Sequence, residues 1–391
     1  MKNLAKYDVI RVFDADALRR NFERMRGMTN ARLGITVKSD AYGFGLSRAL
    51  PVFEKAGVRD YFVQGMIEAV RVRSILNTGN IYAYAGVQDG QAEEFVKNSI
   101  IPVCISLKQL EYFNDHAKGL KKKPQAGIHF DTGMHRTGLS MADVDTLAVN
   151  WEKLTENLDI ALYLSHLHGP FDSEKISRGQ LALFRKILEK LPKRTASLAA
   201  TSGLTRMGSE YHFDLVRPGY GIYGVAKGME QPLSVYAKIL QIREVAKGET
   251  IGYSDEYTTK RKMKIAVLNI GYNDGYSRNL SKTNGLFNWI RAKMSVGGGT
   301  TRAYALVGKT RCPVVGIVSM NNVIIDVGGV PDDALHNAVW AKIAGEGVPI
   351  SLFRTAIGYA PAEMLVDLTR DNPNALDISP DEFEKIKSKI A

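Results

Sequence analysis

Between about residues 32 and 225 the chain repeats one pattern: a short apolar stretch that reads as a strand, then an amphipathic stretch that reads as a helix. Strands are predicted near 32–37, 60–64, 80–84, 101–105, 126–130, 158–164, 196–200 and 213–217. The sixth is the clearest, because Leu158, Ile160, Leu162 and Leu164 alternate with the period of a strand. The intervening helices carry their own signals. Ser106 and Gln109 have capping-box spacing, and Leu181, Phe184, Leu188 and Leu191 share one helical face before Pro192. Eight consecutive strand–helix units predict a closed (β/α)8 barrel of the TIM type rather than an open sheet. Reactive residues of such barrels sit just past the C-terminal ends of the strands, which says where to look for chemistry.

The flanks read differently. Residues 8–13 suit a strand, and Leu18, Phe22 and Met25 form one face of a helix ended by Gly27. After about residue 232 helical periodicity disappears, and 234–370 is rich in Val, Ile, Thr and Tyr with turn clusters YNDG and VGGGTT, as in an all-β domain. Ser379 and Glu382 frame a capping box for a last helix over 380–390. The expected fold class is therefore α/β, an N-terminal barrel with a C-terminal all-β domain. The expected division is a barrel over 8–231, a β domain over 232–370 and a helical tail over 371–391, with residues 1–13 pairing with the β domain.

Composition narrows the function classes. At 391 residues the chain suits two or three domains of ~100–200 residues each. With 45% hydrophobic and 24% charged residues, and no stretch of 18 residues free of polar interruption, it is neither disordered nor membrane-spanning. Cys104 and Cys312 cannot build a disulfide framework, and MKNLAKYDVI lacks the apolar core of a signal peptide, so a reducing, cytoplasmic setting is expected. Lys and Arg exceed Asp and Glu by 52 − 41 = 11, but the excess is spread out. Its densest clusters, 118–123 and 260–264, come without a helix-turn-helix, zinc-finger or RNP signature, so a solvated basic surface that draws small anions is expected rather than nucleic-acid binding. No metal site is read.

Lys38 ends the first predicted strand and precedes Ser39-Asp40-Ala41-Tyr42-Gly43-Phe44-Gly45. At a barrel mouth its charged form is disfavoured and its amine becomes available for Schiff-base chemistry; the blander reading is a strand-end lysine that snorkels to solvent. Ser202-Gly203 follows the seventh strand and Arg217-Pro218-Gly219-Tyr220-Gly221 the eighth, where such barrels bind phosphate. A lysine facing a phosphate site suits pyridoxal 5′-phosphate.

Eight motifs in order then identify a resemblance: VKSDAYGFG at 37–45, FDTGMHRTG at 130–138, SHLHG at 165–169, VRPGYGIYG at 216–224, IGYSDEY at 251–257, IGYNDG at 270–275, GIVSMNN at 316–322 and GYAP at 358–361. The chain resembles the alanine racemase family of pyridoxal-phosphate enzymes from about residue 8 to 370. The resemblance implies that Lys38 forms the Schiff base and that Tyr42, Ser202, Gly219, Tyr220 and Tyr359 hold the phosphate. It implies that His166 lies against the pyridine ring and that Arg217 hydrogen-bonds the pyridine nitrogen. Arg136 would address the cofactor's phenolic oxygen and the substrate carboxylate, the latter together with the backbone at Met320. Tyr253 would be the second acid/base and Tyr272 would line the entrance. Tyr253, Tyr272 and Met320 would come from a partner subunit, which implies a homodimer with shared active sites. The implied activity interconverts L- and D-alanine and supplies peptidoglycan precursors.

The residues have plainer readings as well. Arg136 and Arg217 suit structural strand-end arginines, His166 and His168 suit satisfied rim histidines, and Tyr253 and Tyr272 sit in a tyrosine-rich region where packing is the usual role. Asp131 suits a structural carboxylate, and the cysteines suit apolar fillers. Three departures stand out. His129 replaces the family's frequently carbamylated lysine, which makes it, or a bound anion, a candidate to orient Arg136. Asn321 replaces an aspartate, and 277–309 is long, with Gly297-Gly298-Gly299 suggesting a mobile insertion. A racemase acting on other or several amino acids, such as serine or lysine, is therefore the nearest alternative. A non-catalytic pyridoxal-phosphate carrier is the more distant one.

Overall fold

In the computed structural model seven parallel strands follow one another in chain order: Ile35–Thr36, Asp60–Val63, Asn80–Ala83, Ile101–Cys104, Gln125–His129, Asp159–Leu164 and Thr195–Ser197. An eighth, Leu215–Val216, pairs parallel with Arg32–Leu33. Its flanks close the circle. The amides of Asp214 and Arg217 donate to the carbonyls of Ala196 and Ala199 on one side, and those of Gly34 and Thr36 donate to Val216 and Pro218 on the other. The barrel expected from the strand–helix period is present. Residues 4–168, 173–253, 257–276, 303–348, 368–369 and 372–387 are described.

The chain divides into two compact units, Arg19–Ile222 and a second made of Met1–Leu18 with Tyr223–Ala391. In the first, side chains of Phe62, Tyr82, Ile101, Val103, Leu162, Leu164 and Leu215 fill the barrel. Phe62 stacks between Tyr82 and Tyr84, with ring centroids at 4.7 and 5.5 Å. Ser106 caps its helix, Leu107–His116, by accepting from the Gln109 amide. Gln109 does not complete the box. Its side chain accepts from the Ile105 amide and donates to the Ala85 carbonyl, binding two neighbouring loops instead. On the helix Glu174–Glu189 the buried face is Ser177, Gln180, Leu181, Phe184 and Ile187; Leu188 is only half-buried.

The second unit is built around one long strand, Leu233–Val245. It pairs antiparallel with Val9–Phe13, Met263–Leu268 and Trp340–Ala344. Val9–Phe13 is fully buried and pairs parallel with Ala375–Ile378 on its other edge. A core of Ile10, Val12, Trp340, Leu376, Ile378, Phe383 and Ile386 packs there. Two differences from the sequence reading appear. A short helix, Asp332–Asn337, interrupts the β region, and the last helix spans Pro380–Glu384 rather than 380–390, with its Ser379–Glu382 capping box formed.

Only the end of the long segment 277–309 is described. Its end forms the strand Tyr304–Val307, paired with Thr310–Pro313; 277–302, with the three glycines, lies outside the described residues. The basic cluster 260–264 is not a free cationic surface. Arg261 pairs with Asp326 at 2.7 Å, Lys262 with Glu244 at 2.6 Å and Lys264 with Asp332 at 2.5 Å.

Gly34 lies in the first barrel strand where there is no room for a side chain. A Cβ there would lie 2.9 Å from the Asp60 carbonyl oxygen and 2.9 Å from the Phe62 ring. The carbonyl belongs to the neighbouring strand and cannot swing away. Gly34→Ala should therefore destabilise the barrel by about 1–3 kcal/mol, read as a lower urea midpoint with unchanged slope. A midpoint equal to that of the unaltered chain would mean that the strands separate freely there.

Candidate active site

Directly after Lys38 the backbone turns left-handed. Ser39, Asp40, Ala41 and Tyr42 all have φ between 53° and 58°. For residues with a Cβ this costs roughly 1 kcal/mol or more each. The turn is held by main-chain bonds from Ala41 to Val37, Gly43 to Ser39 and Gly45 to Asp40, and by the Asp40 carboxylate, which accepts from the Leu46 amide. Its effect is to set Lys38 and Tyr42 at the C-terminal mouth of the barrel. Lys38 is partly buried, and its amine is held below the usual lysine range by desolvation and then by Arg136, against an upward pull from Glu68.

Opposite it lies a buried cation. Arg217 is 2% exposed, and its guanidinium donates to Ser197 Oγ at 2.8 Å and to the carbonyls of Ser165 at 2.8 Å and Ala199 at 3.4 Å. It lies over the Phe62 ring at 5.9 Å. Among the described residues its buried Nε has no hydrogen-bond partner, a costly omission unless a ligand supplies an acceptor.

Burial first, then Arg217 and Arg136, push His166 down to about 3 and His129 down to about 4. Both are neutral near pH 7. His129 Nδ1 lies 3.3 Å from the Thr137 hydroxyl, next to Arg136, so it touches the loop that carries Arg136 rather than its guanidinium. Asp131 shapes that loop. Burial raises its carboxyl, but amides of Gly133, His135 and Met134 outweigh this and lower it. Asp131 is thus the structural carboxylate expected. Both thiols are buried and raised, Cys104 to about 12, so neither is a nucleophile near neutrality.

The phosphate-site candidates also come together. Ser202 Oγ is 2.5 Å from the Tyr220 hydroxyl, and the Tyr42 hydroxyl takes a backbone hydrogen bond from Tyr220. Gly219 acts here through its missing side chain. Its amide already donates to Thr201 Oγ1, whereas a Cβ would lie 2.5 Å from the Tyr42 hydroxyl. Tyr359 lies outside the described residues.

Tyr253, Tyr272 and Met320 belong to the other unit. Gly271 and Tyr272 close onto the 319–320 backbone, with Tyr272 and Asn273 amides donating to Ser319 and Met320 carbonyls. Gly252, next to Tyr253, packs against Ile317. All three side chains are exposed, at 67, 38 and 54%.

Sequence reading missed several residues of the mouth. Gln180 donates to Thr132 Oγ1 and to the His166 carbonyl and accepts from the His168 amide, while Thr132 pairs with Ser165 at 2.8 Å. Tyr84 bonds Thr36 Oγ1 at 3.1 Å. The available signal for Gln180 was a polar residue on an apolar helical stripe.

Two family models match: alanine racemase, N-terminal domain, over residues 13–227, and alanine racemase, C-terminal domain, over 232–376. The chain belongs to the alanine racemase family. It is 35% identical to the alanine racemase of Brucella abortus (strain 2308) over 358 residues, 86% of this chain and 85% of that one. To the biosynthetic alanine racemase of Agrobacterium fabrum it is 33% identical over 363 residues, 91% and 90% of the two chains. A solved alanine racemase from Bartonella henselae, described with covalently bound pyridoxal phosphate, superposes with a TM-score of 0.82 at 27% identity, covering 95% and 99%.

The mouth fits this family's cofactor. It offers a lysine amine biased toward its neutral form, an orphaned buried Nε and three hydroxyls at a glycine that admits no side chain.

His129 gives the site a pH signature. Because its folded pKa lies below the ordinary 6.5, the unfolded chain binds the proton first as pH falls, and folding stability is lost from about that pH down to about 4. In urea titrations the stability of the unaltered chain should fall over this window more steeply than that of His129→Gln, by roughly 1.4 kcal/mol per pH unit. Parallel curves would show that His129 is not held neutral.

Proposed function

We propose that the chain interconverts L- and D-alanine with pyridoxal phosphate and two acid/base residues, Lys38 and Tyr253, and the observation that carries this is the buried Arg217, whose Nε has no partner among the described residues, in a mouth where His166 lies within the field of both Arg217 and Lys38. When bound, the cofactor supplies an electron-withdrawing ring that spreads the charge left behind as the Cα proton departs. Lys38 carries the link and then, as a neutral amine, takes or returns that proton on one face. Tyr253 serves the other face. A phenol is a weak base near neutrality, so cationic neighbours must favour its phenolate. Arg217 would hold the cofactor's ring nitrogen through Nε, and because a guanidinium does not surrender its proton it would act there as a hydrogen-bond donor only. His166, kept neutral by burial and Arg217, would lie against the cofactor's ring.

Arg136, exposed at the end of the Asp131 loop, binds the substrate carboxylate with the backbone at Met320. Tyr42, Ser202, Tyr220 and Tyr359 hold the phosphate, with Gly219 making room. Tyr272 lines the entrance. The three exposed side chains Tyr253, Tyr272 and Met320 suit contribution to a partner's site, so we assign a homodimer with shared active sites. In this assignment 8–231 is the cofactor barrel, 232–370 the β domain and 371–391 the tail, with residues 1–13 pairing with the β domain. Neither nucleic acid nor membrane is a partner. The product serves peptidoglycan synthesis in the cytoplasm, where the two buried thiols stay reduced.

The direct test incubates the holoenzyme with each L-amino acid in deuterated water and follows Cα proton loss together with chirality. Exchange and inversion of alanine are expected, and exchange spread equally over other amino acids would contradict alanine as the substrate. With Tyr253→Phe, interconversion should fall by roughly 100-fold or more while one enantiomer still exchanges through Lys38. Unchanged interconversion in both directions would remove the two-base scheme.

A further inference from the structure

The left-handed turn that presents Lys38 is restrained from outside by one helix, Met66–Ile75. Glu68 stands at its third position. One carboxylate oxygen accepts from the Ser39 amide at 2.6 Å and the other from the Gln64 amide at 2.9 Å. Ser39 follows the first barrel strand and Gln64 follows the second. A single carboxylate therefore bridges the ends of two neighbouring strands, directly beside the lysine.

A carboxylate at a helix start commonly satisfies free amides of the first turn, and the Gln64 bond is of that kind. The Ser39 bond is not. It ties the helix to a residue 29 positions earlier, inside the left-handed turn. Arg71 makes a second link, to Asp40 at 3.2 Å, but side-chain exposures of 58 and 46% leave that pair screened by water. The Glu68 contacts are charge-assisted bonds to backbone, which are the stronger class.

We propose that Glu68 is a positioning residue for Lys38: its carboxylate locks the left-handed turn through the Ser39 amide and keeps a negative charge beside the amine. Three neighbours face that amine from different elements: Arg136 from the loop after Gln125–His129, neutral His166 from the end of Asp159–Leu164, and Glu68. Of these Glu68 alone acts to keep the lysine protonated. It thus opposes the downward push of burial and Arg136 on the Lys38 amine while it holds the turn that presents it.

This inference rests on Lys38 being the cofactor lysine, and the test separates the two ideas. The full-length chain, freed of cofactor, is mixed with pyridoxal phosphate across a pH series, and growth of the Schiff-base absorption band is timed. Glu68→Gln keeps the shape and removes the charge, so its rate profile should shift to lower pH. Glu68→Asp keeps the charge and should keep the profile. Amide hydrogen exchange at Ser39 should quicken about tenfold or more in Glu68→Ala, and Arg71→Ala should match the unaltered chain in both measurements. Should Glu68→Ala not fold, Glu68→Gln carries the test alone. An unshifted profile in Glu68→Gln overturns the proposal, as does unchanged Ser39 exchange in a folded Glu68→Ala. A band that persists in Lys38→Ala overturns the lysine assignment instead.

Discussion

A guanidinium sealed inside a barrel, with no carboxylate paired to it among the described residues, sets the terms for everything around it. Removing a cation from water costs several kcal/mol even after relaxation, and Arg217 recovers part of this from one serine hydroxyl, two carbonyls and an aromatic face. The compensation is incomplete, because Nε is left without an acceptor. Burial, and after it the same charge together with Arg136, keeps His166 and His129 neutral. A mouth of this kind favours anionic and acceptor-bearing ligands, and burial together with Arg136 lowers the Lys38 amine from its ordinary range.

Placing that lysine requires backbone strain. Four left-handed residues in a row survive only because surrounding bonds over-determine them, the usual condition for strain at a functional site. Elsewhere the site relies on hydroxyls and amides anchored to neighbouring strands. Gln180 reaches from its helix to hold the 166–168 backbone, and Thr201 holds the Gly219 amide. Rigid supports of this sort fix reacting groups more tightly than loops alone would.

The barrel was legible because period-two strands and period-3.6 helices alternate eight times. The β region was legible from its composition. The left-handed turn was not, since Asp40-Ala41-Tyr42 carries no signal of that conformation, and Gly43 and Gly45 explain only its end. Bonds from Arg217 to Ser165 and Ser197 depend on strand register, and the meeting of Tyr272 with Met320 depends on main-chain bonds spanning some fifty residues. Neither leaves a local pattern. Gln109 had the right spacing for a capping box, yet a tertiary partner at Ala85 redirected it. Lys262 and Lys264 read as free cations because their acidic partners, Glu244 and Asp332, are distant in sequence.

The account depends most on which amine the barrel offers. Reducing the cofactor-loaded chain with borohydride fixes the linkage, and digestion with mass spectrometry then locates it. The pyridoxyl group should sit on the peptide that carries Lys38. Finding it on any other lysine, with Lys38 unmodified, would contradict the account.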